Sequence, residues 1–396
     1  MATTLPRAPN SRSPAGRTAS GAGARDSASI SAVAAHAGVS IATVSRVVNG
    51  VSNKASEKTV ARVRAAVAAL GYRPTGAGRA LRSGQSRLVA LLAANMANPI
   101  MPAIAAAAEV ALRGAGYVMV LCDTHERPEL QDEYLLEMRA QYARGLVLLG
   151  AVDSPVLRDF AHAGERLVFV NRRSPVPGAH QRYVGIDNLA AGAEVAQWMV
   201  ERKFAAVGLI HARLSSSATA ERVQGFRERL KERGIALPKS RIRTVAGAEH
   251  LQIGYQGMAR LLAQARPPRA VFCTSDLIAY GAHRRASESG LRVGRDLALV
   301  GFDDSPMNPW IAPWLHAVRV PYAEYGAAIV SALHGDQAQN IILRHELVIR
   351  APVATAAAVK RLSDGGNTGA RTIVDALGKR GVTINPNQAP PAAVAK

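Results

Sequence analysis

From Leu88 onward the chain alternates short apolar runs with amphipathic stretches, and this alternation restricts the fold more than any other feature. The runs LVALLAA (88–94), YVMVLC (117–122), GLVLLG (145–150), RLVFVN (166–171), AAVGLI (205–210), RAVFCTS (269–275) and LALVGFD (297–303) have strand length and read as buried strands. Between them, 101–114, 129–143, 188–202 and 218–233 carry helical periodicity. Strands separated by helices at this spacing predict parallel sheets with helices on both faces. The series breaks into two βα units near residues 186–190. We therefore expect an α/β core over 88–360, made of two doubly wound subdomains at about 88–186 and 187–315, joined by crossovers, with the last segment returning.

Charge is unevenly placed. The formal net charge of the 396 residues is +20, yet residues 1–87 hold thirteen basic side chains against only Asp26 and Glu57. More than half of the excess thus lies in under a quarter of the chain, which favours a polyanionic partner such as nucleic acid. Residues 1–28 are rich in Ser, Gly, Ala, Pro and Arg and read as a disordered basic tail; 361–396 reads as a second disordered tail. No window approaches ~18 uninterrupted apolar residues, and the first 29 residues lack the apolar middle of a secretory signal. Cys122 and Cys273 lie far apart in separate apolar runs, with neither disulfide-framework nor metal spacing. The expected setting is a reducing cytosol, associated with the nucleoid and not with a membrane.

The segment ISAVAAHAGVSIATVSRVVNG (30–50) predicts two short helices joined by a tight turn. Ala34 is small where the helices cross, and Gly38 allows a left-handed turn residue. Val33, Ala37, Val39, Val44 and Val47 fall on one apolar face. Ser29 and Ser40 are placed as N-caps, and Ser56 opens a third helix through Leu70 whose Val60, Val63 and Val67 close the core. A plain three-helix bundle would share that spacing. It would not explain Thr43, Ser45, Arg46 and Asn49 on the exposed face of the second helix, followed by the basic connector 71–87. A helix seated in a major groove presents its first residues to base edges. The candidate DNA contacts are thus Ser40, Ile41 and Ala42 at the helix start, the latter two offering apolar contact to a thymine methyl. Arg46 is placed to donate two hydrogen bonds to guanine, and Thr43, Ser45, Asn49, Thr59 and Tyr72 to meet phosphates.

VAAHAGVSIATVSRVVNG, LGYRP (70–74) and ALRSGQS (80–86) together resemble the lactose-repressor (LacI/GalR) family of bacterial transcription regulators, a likeness that extends over roughly 29–360. The resemblance implies a helix-turn-helix domain at 29–73 and a hinge at 74–87 that becomes helical on DNA. It also implies that Leu81 wedges into the minor groove at the operator centre. Thr75, Gly76 and Gly78 depart from the family's hinge pattern. Each glycine costs a helix about 1 kcal/mol relative to alanine, so this hinge should depend more on DNA to fold. The loop 50–55 is one residue longer than usual.

In the core, NPIMPAI (98–104), FVNRR (169–173), GIDN (185–188), ERVQGF (221–226), CTSDLIAYGA (273–282) and VGFDD (300–304) match the family. They imply the two-lobed fold of periplasmic sugar-binding proteins with an effector between the lobes. Carried over by position, Asp187, Arg222, Ser275 and Asp303 are effector contacts, with Arg172 and Asp123 as further candidates. Carboxylates accept hydrogen bonds from hydroxyls and a guanidinium donates several at fixed geometry, which suits a sugar. Simpler roles are open for each: Asp187 as a helix N-cap, Asp303 and Asp304 as braces of a turn, Arg222 as half of a solvated pair with Glu221 or Glu228. NRR followed by SPVPG (171–178) is similar to galactose- and ribose-type regulators.

Nothing in the sequence signals catalysis. No Gly-rich phosphate loop follows a strand, no nucleophile elbow is present, and His211, His283 and His316 read as surface or core residues and not as ligands. The expected protein is a homodimeric repressor of a carbohydrate or related catabolic operon. It needs no cofactor or metal, and its partners are double-stranded operator DNA and a sugar or sugar derivative. The alternatives are a sugar-binding module, or a regulator answering a purine or a sugar acid.

Overall fold

The computed structural model describes residues 29–50, 55–73, 86–178, 182–247, 249–335 and 339–350. Leu81 with the rest of the hinge sequence 74–85, most of the loop 50–55, and both tails lie outside the described residues. The described chain forms two units, a helical head and an α/β unit.

The head is built from α1 (Ile30–Ala37), α2 (Ile41–Val48) and α3 (Glu57–Ala69). Ser29, Ser40 and Ser56 each accept a hydrogen bond from the backbone N–H three residues on, which fixes the three helix starts. Gly38 adopts φ 60°, ψ 43°, and α2 turns 104° away from α1, within the range of helix-turn-helix pairs. Val33, Val44 and Val63 are fully buried at the centre, with Ala34, Ala37, Val47 and Ala66 packed round them. Alanines at the crossings let such short helices share a core that larger side chains would push apart.

The α/β unit runs β1 (Leu88–Ala93), α4 (Ile100–Gly114), β2 (Val118–Asp123), α5 (Pro128–Ala140), β3 (Gly145–Leu149), α6 (Pro155–His162), β4 (Leu167–Val170) and β5 (Arg182–Ile186). It continues α7 (Asn188–Glu201), β6 (Val207–Ile210), α8 (Ser217–Glu232), β7 (Ile242–Arg243), α9 (His250–Leu262), β8 (Ala270–Cys273), α10 (Asp276–Glu288) and β9 (Ala298–Asp303). The last elements are α11 (Asn308–Ile311), β10 (His316–Arg319), α12 (Tyr322–His334), β11 (Asn340–Leu343) and β12 (Glu346–Val348). Two six-stranded sheets result, ordered β11-β5-β4-β3-β1-β2 and β12-β10-β9-β8-β6-β7. All pairings are parallel except β10 with β12.

Five strands, β5, β7, β10, β11 and β12, lie outside the seven expected runs, and β5 and β10 show why. β5 has buried residues at Tyr183–Ile186 but begins at a half-buried arginine and contains Gly185, so its apolar run is too short to stand out. β10 carries the second sheet past residue 315 before the chain returns. α12 and β11 then rejoin the first lobe, where α12 covers β4 and β5, and β12 goes back to the second. The chain passes between lobes three times: after β5, after β10 and after β11. One apolar core runs through both lobes, from Val89 and Ile104 through Val195 and Met199 to Phe226 and Phe302.

Candidate functional site

On the head, Ser40, Ile41, Ala42, Arg46 and Asn49 are exposed while Val44 and Val47 face inward. Ile41 is 51% exposed beside the likewise exposed Ser40 and Ala42, which leaves an apolar residue at the start of the second helix uncovered by the described residues of the head. Thr43 and Thr59 repeat one arrangement: each side-chain hydroxyl bonds the serine cap three residues before it, at 3.0 and 2.9 Å. Asn49 donates to the Ser45 carbonyl at 2.7 Å, and Tyr72 packs against the head's core. Arg62 reaches the Gly38 carbonyl and braces the turn. Ser40 to Asn49 thus lie on the second helix and its flanks, while Thr59 and Tyr72 belong to α3 and the turn after it; Ser40, Thr43, Asn49 and Thr59 are held by local hydrogen bonds.

In the α/β unit, loops at the carboxyl ends of parallel strands carry the candidate effector residues, which is where ligands bind in such sheets. Close packing of α7 on α8 fixes the centre. A Cβ at Gly192 would lie 2.1 Å from the Arg222 carbonyl oxygen, and one at Gly225 1.9 Å from that of Leu189, so only glycine allows this approach. Arg222 is thereby held at the start of α7. Its Nε donates to Asn188 Oδ1 at 2.8 Å and its Nη1 to the Thr274 carbonyl at 2.9 Å. The guanidinium lies 3.6 Å from Asp303 Oδ1 and 3.5 Å above the Phe302 ring. Glu221 pairs instead with Arg173, and Glu228 with Gln224, so Arg222 is no solvated helix partner of either.

Asp303 and Asp304 have left-handed backbones, φ 102° and 52°, a strained conformation for residues with side chains. Burial pushes the Asp303 carboxyl up to about 7, Arg222 opposing the rise. Asp304 does brace the structure, accepting from Arg319 and Arg350 at 2.8 and 2.6 Å. Ser275 caps α10 and bonds His250 Nδ1 at 3.0 Å. Asp187 is exposed and caps α7 through Ala190 N–H at 2.8 Å. Arg222, Ser275 and Asp303 thus belong to one cluster, with Asp187 at its edge.

Arg172 and Asp123 belong to a neighbouring group. Asp123 accepts from the Met96 and His125 amides and so shapes the loop after β2. That loop presents Glu126, which is ion-paired at once to Arg172 (2.5 Å) and to Arg213. Arg173 adds a second link between lobes through Glu221 and the Ser217 hydroxyl. The position-by-position reading missed Glu126, Arg213, Asn188, Thr274 and His250. Arg213 and Glu126 are 87 residues apart and no local pattern joins them. Asn188 stands inside the GIDN motif and Thr274 inside CTSDLIAYGA, so these two were the legible signals. His211 is buried against the Ala212 carbonyl, and His283 stacks on Trp314 at 3.9 Å.

A helix-turn-helix head and a two-lobed core with a polar cluster at its strand ends define a ligand-responsive transcription regulator. Residues 29–75 match bacterial regulatory proteins of the lacI family, and residues 196–353 match the periplasmic binding protein-like domain. The chain is 30% identical over 334 residues to the HTH-type transcriptional repressor PurR of Yersinia enterocolitica, covering 83% of this chain and 97% of the relative. It is 29% identical to the transcriptional regulator CelR in its cellobiose complex, with TM-score 0.60 over 82% of this chain and 99% of that one. The lac repressor dimer bound to operator and the anti-inducer ONPF is 26% identical, with TM-score 0.67 over 81% and 97% of the two chains. This protein belongs to the lacI family, and it is a DNA-binding, effector-responsive regulator of transcription. Among the described residues no single helix is long and apolar enough to cross a membrane.

Proposed function

We propose that the protein represses a carbohydrate or related catabolic operon as a cytoplasmic, nucleoid-associated homodimer and catalyses no reaction. Each subunit inserts Ile41, Ala42 and Arg46 into a major groove, with Ser40, Thr43, Ser45, Asn49, Thr59 and Tyr72 at the phosphates. Paired Leu81 side chains from the hinge open the central base step. Exposed Val110 on α4 and Val118 and Leu121 on the edge strand β2 offer an apolar surface for a second subunit. The observation that carries the effector reading is the buried Arg222–Asp303 pair at the strand ends: a donor fork and an acceptor, desolvated side by side, suit vicinal hydroxyls. Asp187, Ser275, Arg172 and Asp123 complete the contacts. Effector binding would bias the angle between lobes, and only by its difference in affinity for the two arrangements.

The likeness to PurR favours one second reading, a purine effector. A thermal-shift screen of the full chain against sugars, sugar acids, sugar phosphates and nucleobases separates the two, because a ligand selective for the native state raises Tm. The expected result is a shift by a sugar or sugar derivative that also changes operator binding. A shift by nucleobases alone would establish the purine reading, and failure to prefer any genomic site over random competitor would overturn the regulator.

A further inference from the structure

At these strand ends Arg173 pairs with Glu221 and Arg222 with Asp303, one cation to one carboxylate. Glu126 serves two guanidiniums and joins the lobes in doing so, Arg172 coming from its own lobe and Arg213 from the other. Its loop is forced to bring it there: His125 and Glu126 both have left-handed backbones, φ 51° and 56°. A non-glycine residue in that region is costly, and two in succession persist only where surrounding contacts hold them. Arg213 remains 65% exposed, so one side of the Arg–Glu–Arg group is open to solvent. Burial alone would push the Glu126 carboxyl up, yet Arg172 and Arg213 hold it below its ordinary value.

We infer that Glu126 is a resident substitute for an oxyanion on the effector: a carboxylate or phosphate borne by a polyhydroxylated ligand enters between Arg172 and Arg213 and displaces it. This deepens the effector reading above and rests on it. The charge balance gives the chemistry. Once Glu126 swings out, Arg172 and Arg213 lose the carboxylate they share, while Arg173 and Arg222 keep Glu221 and Asp303. An incoming anion restores the lost pairing, whereas a neutral sugar cannot. Because Arg172 and Arg213 come from different lobes, the entering group ties the lobes together as Glu126 does in its absence. The displaced loop is free to relax its two left-handed residues.

The test uses the full-length protein, with sodium phosphate replacing sodium chloride at constant ionic strength. In Glu126→Gln the arginine pair is vacated without loss of side-chain volume, and phosphate should raise Tm with at least tenfold tighter apparent binding than in the unaltered protein. Adding Arg213→Gln should abolish that gain. Glu126→Gly, which suits the left-handed backbone, should behave as Glu126→Gln does and guards against a folding defect. No phosphate-specific gain in either variant, or a gain that survives loss of Arg213, overturns the inference. Gluconate and glucose 6-phosphate, compared with glucose on the unaltered protein, separate the carboxylate from the phosphate source. A tenfold preference for either anion supports the inference, and a preference for glucose overturns it. Operator binding measured on the same samples isolates the underlying reading: phosphate capture without any site preference would sink the regulator and leave the anion site standing.

Discussion

Arg222 and Asp303 form a buried ion pair, 3.6 Å apart, whose guanidinium also lies 3.5 Å above the Phe302 ring. Removing one partner of such a pair leaves the other charge desolvated and uncompensated, which costs about 3–5 kcal/mol. Arg222→Met should therefore lower the urea midpoint strongly. Arg222→Lys keeps the charge but cannot reach Asn188, Thr274 and Asp303 together, so it should retain more stability and still lose the effector response. Equal stability loss in both variants would contradict the role of the fork geometry.

The pH response should carry two opposing components. The folded pKa of Asp303, about 7, lies above its ordinary 3.8, so its stabilising contribution is complete below pH 4 and lost as pH rises through 7. His316 is held down to about 4 by burial first and then by Arg202 and Arg350. Its contribution is present above 6.5 and is lost as pH falls towards 4, amounting to about 3 kcal/mol there. Between pH 4 and 6.5 the two slopes oppose each other, so urea midpoints should rise with pH in Asp303→Asn, where the histidine acts alone, and fall with pH in His316→Asn, where the carboxyl acts alone. Parallel curves for all three proteins would refute both assignments.

Arg46→Ala should cost about 1–3 kcal/mol at one operator base pair and relax preference at that position alone, as read by selection from a randomised site. A uniform loss across all sequences would instead mark Arg46 as a phosphate contact.

Gly225→Ala weighs two effects against each other. Alanine improves helix propensity by about 1 kcal/mol. Its Cβ, however, would sit 1.9 Å from the Leu189 carbonyl oxygen, and neither backbone can yield without separating α7 from α8. We expect net destabilisation and weaker effector binding, since that separation withdraws Arg222 from Asn188. A more stable variant with intact binding would show the close approach to be dispensable.

Much of the head was legible because its signals are local: Ser29, Ser40 and Ser56 cap helices a few residues away, and Gly38 marks its own turn. The strands were legible for a similar reason, since LALVGFD is apolar on both faces and β9 is buried throughout. What escaped depended on pairing across distance. The amphipathic pattern of α12 says that it packs on a sheet but not which of two similar sheets, and it rejoins the first lobe after β10 of the second. Glu126 reads as one charged residue in a polar loop, and its two arginines, which follow β4 of its own sheet and β6 of the other, meet it only in the folded chain. Asp187 reads equally as cap or ligand contact, and its bond to Ala190 N–H meets the first description without spending its second oxygen.

The threefold passage of the chain between the lobes has a mechanical corollary. A single tether would let one half swivel freely about it, whereas three act together as a flexure: turning one strand alone would stretch the other two. The permitted excursion is thus a concerted twist along one coordinate. On the proposed reading, a small molecule lodged at the strand ends would hold that twist at one end of its travel, much as a wedge holds a spring clip.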